Sequence, residues 1–344
     1  FIFISIDERN ECMKKILKKI LFKKNDDRNS DKSLIKLALN KLLSTVMGIG
    51  LIFQNYLDWR PKRIYQAKKS GKIIDRKLYI LAIIKNEGNY LDEWIYYHRA
   101  IGVDGFIIYD NESTDNSKAI IDKHSQFIDI DYHFFPGKSK QIEAYQDAIE
   151  KYREKQIWIL TIDVDEFLRP INDTDIKTWL QSFPKKVSQI LVPWTIYGSA
   201  NHVSRPAGLV IENYPYHSND QFITEYKSFV KPELVRKAFM GHFYKTIGKI
   251  VSESGKKLWY YPYVLLVGSR PSSKNFMTIN HYYCKSVEDF EEKIKRGDVF
   301  DYEKNLRNFN EFKIQDKNDI LDVDVSHYID KITNLKNSDA MKKS

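Results

Sequence analysis

Apolar positions along the chain change their spacing repeatedly from residue 77 onward. Four short apolar runs predict buried strands, at residues 78–84, 106–109, 128–135 and 158–162. Between them apolar residues recur at helical spacing, which predicts helices over residues 89–100, 116–123 and 139–155. Strand–helix–strand units at this spacing indicate an α/β fold with a mainly parallel sheet and right-handed crossovers.

Polar clusters follow three of these predicted strands. Lys85-Asn86-Glu87 follows the first strand, Asp110-Asn111 the second, and Asp163-Val164-Asp165-Glu166 the fourth. Ligands of open α/β sheets bind beyond the carboxyl ends of the strands. Because the carboxyl ends of parallel strands meet at one edge of the sheet, the three clusters together predict a binding site there.

Residues 163–166, called the acid turn below, carry the most specific chemistry. Carboxylate oxygens suit Mg²⁺ or Mn²⁺, and such a cation can hold a diphosphate. An isolated Asp-x-Asp is also a common strand cap, so the interpretation depends on its neighbours. The chain has neither G-x-G-x-x-G nor a P-loop lysine motif after the first strand. Phosphate binding would therefore rest on a metal and on basic side chains, for which Lys227 and Lys231 are available.

The other two clusters each allow two interpretations. Asn86 or Glu87 would recognise uracil or ribose, or would cap the following helix. Asp110 would accept hydrogen bonds from a base or ribose hydroxyl, or from its own backbone in an Asx-turn. Later in the chain, residues 286–296 have the pattern of a charged helix that begins after Ser286 and ends at Gly297.

The net charge and the cysteine content restrict the kinds of ligand and compartment that we expect. The formal net charge of +9 over 344 residues favours anionic ligands, but clustered acids at the sheet edge would repel a nucleic acid, so none is expected. The two cysteines, Cys12 and Cys284, have no metal-like spacing, and they fit a reducing compartment better than a disulfide scaffold.

Residues 1–75 differ from the rest and predict a separate basic helical segment. Apolar and basic pairs alternate in residues 14–24, which predicts an amphipathic helix on an anionic membrane surface or packed on protein. The longest apolar run, residues 42–53, is too short to span a bilayer, and polar residues 7–10 interrupt the opening apolar run. The expected location is cytoplasmic, with peripheral contact at the inner membrane face.

An ordered set of motifs resembles the family 92-type glycosyltransferases and their bacterial relatives in the broad family 2-like clan. The set begins with Leu81-Ala82-Ile83-Ile84-Lys85-Asn86-Glu87, Tyr109-Asp110-Asn111 and Asp163-Val164-Asp165-Glu166-Phe167-Leu168. Trp194, Lys227-Ser228 and Asn280-His281-Tyr282 continue it in the same order. The resemblance covers about residues 77–298, so residues 76–300 are the predicted domain and residues 301–344 a helical or flexible tail.

The resemblance implies a GT-A fold, a UDP- or GDP-sugar donor, a glycan or glycolipid acceptor, and Mn²⁺ (or Mg²⁺). It makes Asp165 the main metal ligand, Asp163 a ligand of the metal and of the donor ribose or sugar, and His281 a further ligand on the metal side. The remaining donor-binding residues would be Lys85, Asn86, Glu87, Asp110, Asn111, Trp194 and Lys227.

The catalytic base stays open at this stage. An inverting enzyme needs a carboxylate or histidine beside the acceptor hydroxyl, whereas a retaining enzyme does not need it in the same place. The candidates are Glu166, His202 and Glu225, with Glu212 and Asp220 also available.

The sequence thus predicts a metal-dependent glycosyltransferase, with surface polysaccharide or lipopolysaccharide synthesis as its expected pathway. One alternative is a nucleotidyltransferase that makes a nucleotide sugar and releases pyrophosphate. The other is a basic module that binds carbohydrate or nucleic acid without catalysis.

Overall fold

The structure is a computed structural model that describes residues 75–219, 225–258, 273–297 and 307–342. The predicted N-terminal helical segment and the predicted membrane contact through residues 14–24 lie outside these ranges. Within them, no helix has the length and apolar character needed to cross a membrane.

The described residues form eight α-helices and thirteen strands. The helices are α1 Leu91–Ala100, α2 Ser117–His124, α3 Gln141–Lys151, α4 Ile176–Ser182, α5 Val210–Asn213, α6 Val287–Arg296, α7 Phe309–Gln315 and α8 Ser326–Met341. The strands are β1 Lys77–Ile84, β2 Gly105–Asp110, β3 Asp129–Phe134, β4 Ile157–Thr161, β5 Glu166–Pro170, β6 Val187–Ile196, β7 Tyr216–His217, β8 Tyr226–Val230, β9 Val235–Met240, β10 Phe243–Thr246, β11 Lys249–Ser252, β12 Met277–His281 and β13 Ile320–Leu321. The four strands and four helices predicted from the apolar pattern are all confirmed, with bounds shifted by a few residues.

The central sheet has the order β3-β2-β1-β4-β8-β6-β12-β5, with β11 also paired to β6. Strands β3, β2, β1 and β4 are parallel neighbours. Strand β8 runs antiparallel to both β4 and β6, and β12 runs antiparallel to β5. The α/β class and the mainly parallel sheet are confirmed, since within the described ranges five strand pairs of the central sheet are parallel and three are antiparallel, so the sheet is mixed rather than purely parallel. Each antiparallel pair includes a strand beyond residue 162, where the sequence analysis predicted no strand.

Strand β1 shows how the layers form. Leu78, Ile80, Ala82 and Ile84 belong to the core cluster that includes α1, while Tyr79, Leu81 and Ile83 belong to the cluster that includes α3. Because successive side chains of a strand point to opposite faces, an unbroken apolar run is buried on both sides. The sheet therefore lies between two helical layers, which leaves its carboxyl edge for ligands.

The C-terminal segment packs against the same domain. Tyr328 and Ile332 of α8 belong to the main core cluster. The guanidinium of Arg99 pairs with Asp339 at 2.6 Å, and that of Arg169 donates to Asp322. Core packing therefore continues beyond the predicted domain boundary at residue 300.

Glu93 on α1 makes the stability of this fold depend on pH. Its buried carboxyl accepts from the backbone N–H of Val210, at 2.6 Å, and of Ile211, at 3.1 Å, at the start of α5. Burial raises the pKa of Glu93 to about 7, although these N–H groups oppose the rise. Between the unfolded pKa near 4.5 and the folded value, the native state keeps a proton that the unfolded chain has lost. Stability is therefore lost as the pH rises through this window.

We expect Glu93→Gln to remove that loss. From pH 4 to pH 8 the free energy of unfolding of the wild type should fall relative to the variant by on the order of 2 kcal/mol, since one pKa unit corresponds to about 1.4 kcal/mol. Urea unfolding of both proteins at the two pH values measures the difference. A wild-type-minus-variant gap that is equal at both pH values would contradict the assignment.

Candidate functional site

The acid turn joins β4 to β5 and is held by its own hydrogen bonds. The backbone N–H of Asp163 donates to Glu166 Oε2 at 2.8 Å, and the N–H of Glu166 donates to the carbonyl of Asp163 at 3.0 Å. The N–H of Tyr282, just after β12, donates to the carbonyl of Asp165 at 2.8 Å. These bonds fix the turn at the sheet edge and bring the end of β12 to it.

Lys227 on β8 lies between Asp163 and Glu166 of the acid turn. Its fully buried Nζ lies 2.8 Å from Asp163 Oδ2 and 3.0 Å from Glu166 Oε2. Burial alone would raise the pKa of Asp163, but the Lys227 ammonium outweighs it and holds that pKa below its usual range. Burial also raises the pKa of Glu166 to about 8, against the pull of Lys227. At neutral pH the site therefore contains an ionised Asp163 beside a protonated Glu166.

Lys293 on α6 pairs with Asp165, the remaining carboxylate of the acid turn. Its Nζ donates to Asp165 Oδ2 at 2.6 Å and to the carbonyl of Tyr283 at 3.0 Å. Although burial opposes ionisation, Lys293 and then His281 hold the pKa of Asp165 well below its usual range. The acid turn is thus closed in by two buried lysines from different elements.

His281 at the end of β12 faces the same carboxylates. Its Nε2 lies 3.6 Å from Asp165 Oδ1, and its Nδ1 lies 3.9 Å from Glu166 Oε1. Burial lowers the pKa of His281, so the ring is neutral at pH 7 and offers a nitrogen lone pair. Nδ1 of His281 and Oε1 of Glu166 are buried without hydrogen-bond partners in the described part of the chain.

Trp194 on β6 covers this corner with its indole ring. The ring centre lies 4.3 Å from that of His281 and 5.0 Å from that of His242, and Lys227 Nζ lies 5.9 Å from it. His242 Nδ1 is 3.0 Å from the carbonyl of Tyr226. The partly exposed indole gives the site one flat apolar wall.

The ends of β1 and β2 are held mainly by contacts within the protein. Asn86 has a positive φ of 52° and accepts from the N–H of Thr114 at 2.7 Å. Asp110 accepts from the N–H of Ser113 at 2.8 Å and from the Tyr132 hydroxyl at 2.9 Å. The Asp110 carboxylate thus bonds to its own backbone three residues on, one residue further than in an Asx-turn.

Two further members of these clusters are held in the same way. The Asn111 amide donates to the carbonyls of Phe135, at 3.0 Å, and Gly137, at 2.7 Å. Arg296 Nη1 donates to Glu87 Oε1 at 2.5 Å and to the carbonyl of Lys85 at 2.8 Å. Lys85 itself is half-buried at the strand end, so its side chain borders the edge where the acid turn lies.

The three predicted catalytic bases lie in different surroundings. Glu166 is fully enclosed and bound to Lys227 and to the backbone of Asp163. His202 Nε2 lies 3.1 Å from the carbonyl of Asn213, and the His202 ring packs edge-on against Tyr214. The carbonyl of Glu225 accepts from the N–H of Trp194 at 3.0 Å, which places the Glu225 backbone beside that of Trp194. Asp220 lies outside the described residues.

A family model described as glycosyltransferase family 92 matches residues 84–322, a span that includes the acid turn, Trp194, Lys227 and His281. The chain belongs to glycosyltransferase family 92. The match ends at Asp322, the partner of Arg169, so the family 92 region includes part of the segment that sequence analysis separates as a tail. The α/β class expected from the sequence holds for this family 92 domain.

Curated relatives of this family 92 chain come from plants. A family 92 protein of Ricinus communis is 27% identical over 225 residues, which are 63% of this chain and 37% of that protein. One of Oryza sativa subsp. japonica is 22% identical over 240 residues, 68% of this chain and 38% of that protein. The chain therefore spans about two fifths of the length of these relatives.

Two solved structures are similar over part of the family 92 chain. S. aureus TarS, residues 1–349 in complex with UDP, is 14% identical, covers 34% of this chain and 35% of its own, and has a TM-score of 0.30. Glucosyl-3-phosphoglycerate synthase of Mycobacterium tuberculosis, in complex with Mn²⁺, UDP-glucose and phosphoglyceric acid, is 14% identical, covers 46% and 58%, and has a TM-score of 0.27. At these scores neither neighbour bears on the ligands of the family 92 chain.

Sequence reasoning missed Lys293 and Arg296 of this family 92 site. Both lie in the charged helix that was predicted for residues 286–296, in which no site residue was predicted. Their spacing of three residues places them on one side of a helix. That spacing could have indicated that the two side chains act together. The parts of the sheet edge that they contact are determined by the tertiary fold.

Proposed function

We propose that this family 92 chain is a metal-dependent glycosyltransferase that moves a sugar from a UDP- or GDP-sugar to a hydroxyl of a glycan or glycolipid acceptor. The observation that carries the proposal is the convergence of Asp163, Asp165 and His281 at the carboxyl edge of the sheet. The ends of β1 and β2 lie along the same edge, where α/β sheets bind nucleotides.

The residues present fit a divalent cation in part. Ligands about 2.1 Å from one such cation lie roughly 3 Å or more from each other. The 3.6 Å between Asp165 Oδ1 and His281 Nε2 is compatible with both binding the same ion. Lysines take Oδ2 of Asp163 and of Asp165, which leaves one oxygen of each carboxylate. No preformed set of three ligands occurs among the residues described. Diphosphate oxygens and water would therefore complete the coordination.

The roles of the chain's own residues follow from this arrangement. A bound cation would supply neutralisation of the leaving diphosphate. Lys227 fixes Asp163, and Glu166 fixes the backbone of the acid turn, so the ligands are held in place before the donor arrives. Trp194 provides a stacking wall and Lys85 a cation at the β1 end. Glu166 is enclosed, so the acceptor-side base is assigned to Glu225, next to Trp194, with His202 as the second candidate.

The expected pathway and location rest on sequence alone. The proposed acceptor belongs to a surface polysaccharide or lipopolysaccharide. Contact with the inner membrane face through residues 14–24 would bring the enzyme to such acceptors.

A thermal-shift screen tests the proposed function. UDP- and GDP-sugars are tested with and without Mn²⁺, and one of them should raise the Tm only when the metal is present. A ligand at 100 times its Kd stabilises the folded state by about 2.7 kcal/mol, which corresponds to a shift of a few degrees. The sugar that gives the shift is then used in a product assay. Release of nucleoside diphosphate supports sugar transfer, whereas release of pyrophosphate from a triphosphate substrate would favour a nucleotidyltransferase.

A further inference from the structure

Helix α6 contacts two parts of the sheet edge, the segment after β1 and the acid turn. A capping box between Ser286 and Asp289 begins it, and Arg205 Nε donates to Asp289 Oδ1 at 2.6 Å. Near its other end, Arg296 donates to the backbone and to Glu87 at the end of β1. These contacts hold both ends of α6, and Lys293 extends from this helix to the acid turn.

Lys293 occupies one oxygen of the carboxylate that is best placed to bind a cation. Its Nζ is 2.6 Å from Asp165 Oδ2, while Asp165 Oδ1 faces His281 Nε2 at 3.6 Å. A cation on Oδ1 and an ammonium on Oδ2 would lie only a few ångströms apart on one buried carboxylate. Like charges at that distance repel strongly where water is excluded.

The surroundings of Lys293 allow its amine to move without leaving the site. Besides Asp165, the Nζ contacts the carbonyl of Tyr283 and lies 3.9 Å from the centre of the Tyr283 ring. A carbonyl and an aromatic face hold an ammonium without committing it to one carboxylate. The neighbouring cations are engaged elsewhere: Arg296 is bound at the β1 end, Lys285 lies 3.9 Å from the centre of the Tyr90 ring, and Arg307 donates to the carbonyl of Gly297 at 2.7 Å.

We propose that Lys293 couples cation binding to nucleotide binding by moving its ammonium from Asp165 to a phosphate oxygen of the donor. The inference rests on the proposed function and adds to it an order of binding. Without a diphosphate, the ammonium competes with the cation for Asp165. With the diphosphate present, the cation and the ammonium each have an anionic partner, so the two ligands strengthen each other's binding.

The test is a calorimetric titration of the full chain with Mn²⁺, alone and with saturating UDP or GDP. In the wild type, the nucleotide should tighten Mn²⁺ binding by roughly tenfold or more, within the usual range of such couplings. Lys293→Met should bind Mn²⁺ alone roughly tenfold more tightly than the wild type and should lose most of the tightening by nucleotide. Lys293→Arg keeps the charge and should behave as the wild type.

Lys295→Met is the matched control, because Lys295 lies two residues away on the exposed side of the same helix. It should leave both Mn²⁺ affinities unchanged. The coupling is overturned if Lys293→Met binds Mn²⁺ alone no more tightly than Lys295→Met, while joint binding of Mn²⁺ and nucleotide by the wild type would still support the proposed function. Absence of Mn²⁺ and nucleotide binding in the wild type and Lys295→Met alike would overturn both. If Lys293→Met unfolds, Lys293→Gln takes its place with the same expectations.

Discussion

Asp165→Asn is expected to lower kcat/KM for sugar transfer by on the order of a thousandfold, because stabilisation of a leaving group by a metal is worth several kcal/mol and each 1.4 kcal/mol is a factor of ten. Asparagine keeps the shape of the side chain but lacks the charge that binds a divalent cation. We expect Asp165 to be the main metal ligand, because its Oδ1 faces His281 and its pKa is held well below the usual range by Lys293 and His281. Transfer from the nucleotide sugar found in the thermal-shift screen measures the loss.

A second variant separates the loss of chemistry from a loss of folding. Asp165→Asn leaves the buried ammonium of Lys293 without its anionic partner, and this is destabilising in itself. The double variant Asp165→Asn with Lys293→Met removes both charges. Its Tm should return toward that of the wild type while transfer stays low. Activity of the double variant within threefold of the wild type would contradict the metal role of Asp165.

The sequence predicted the part of the fold that local pattern determines. The unbroken apolar runs of β1 and β4, the helical spacing of α1 and the cap at Ser286 are all local signals, and each is confirmed. The direction of β8 and its insertion between β4 and β6 depend on contacts distant in sequence. No periodicity of the segment itself contains that information.

The same distinction applies to the site. A carboxylate cluster after a buried strand was visible in the sequence, and so was the order in which Trp194, Lys227 and His281 follow it. All four meet at the sheet edge: Trp194, Lys227 and His281 lie on the neighbouring strands β6, β8 and β12, and the acid turn contacts Lys227 and His281. The pairing of each aspartate with its own lysine was not visible, since Lys227 and Lys293 come from elements far apart in the chain.

Lys227 gives the largest expected effect on stability. Its Nζ is fully buried between Asp163 and Glu166, and these two carboxyl groups raise its pKa although burial opposes the charge. Removing one partner of a buried ion pair typically costs 3–5 kcal/mol, because the remaining charge stays buried and unpaired. Lys227→Met is therefore expected to lower the free energy of unfolding by about 3 kcal/mol, the low end of that range, because the Asp163 side chain is 36% exposed.

Urea unfolding of the wild type, the single variants and a double variant tests this assignment. Because Asp163 is the ionised partner at neutral pH, the double variant Lys227→Met with Asp163→Asn removes both charges of the pair and should recover part of the lost stability, as a double-mutant cycle with both single variants would show. Lys231→Met is the matched control, since Lys231 is also buried but its Nζ donates to the carbonyl of Lys185 and lies 4.6 Å from the Trp158 ring centre.

Burial lowers the pKa of Lys231 to about 8, so its positive charge destabilises the folded state. Its replacement by methionine should cost less than about 1 kcal/mol, since the stem keeps its packing and no ion pair with a carboxylate is broken. If the two single variants lose equal stability, burial of the lysine stem rather than the charge explains both losses. A larger loss in Lys227→Met alone, partly restored by Asp163→Asn, would identify Lys227 as the cation that holds the acid turn together.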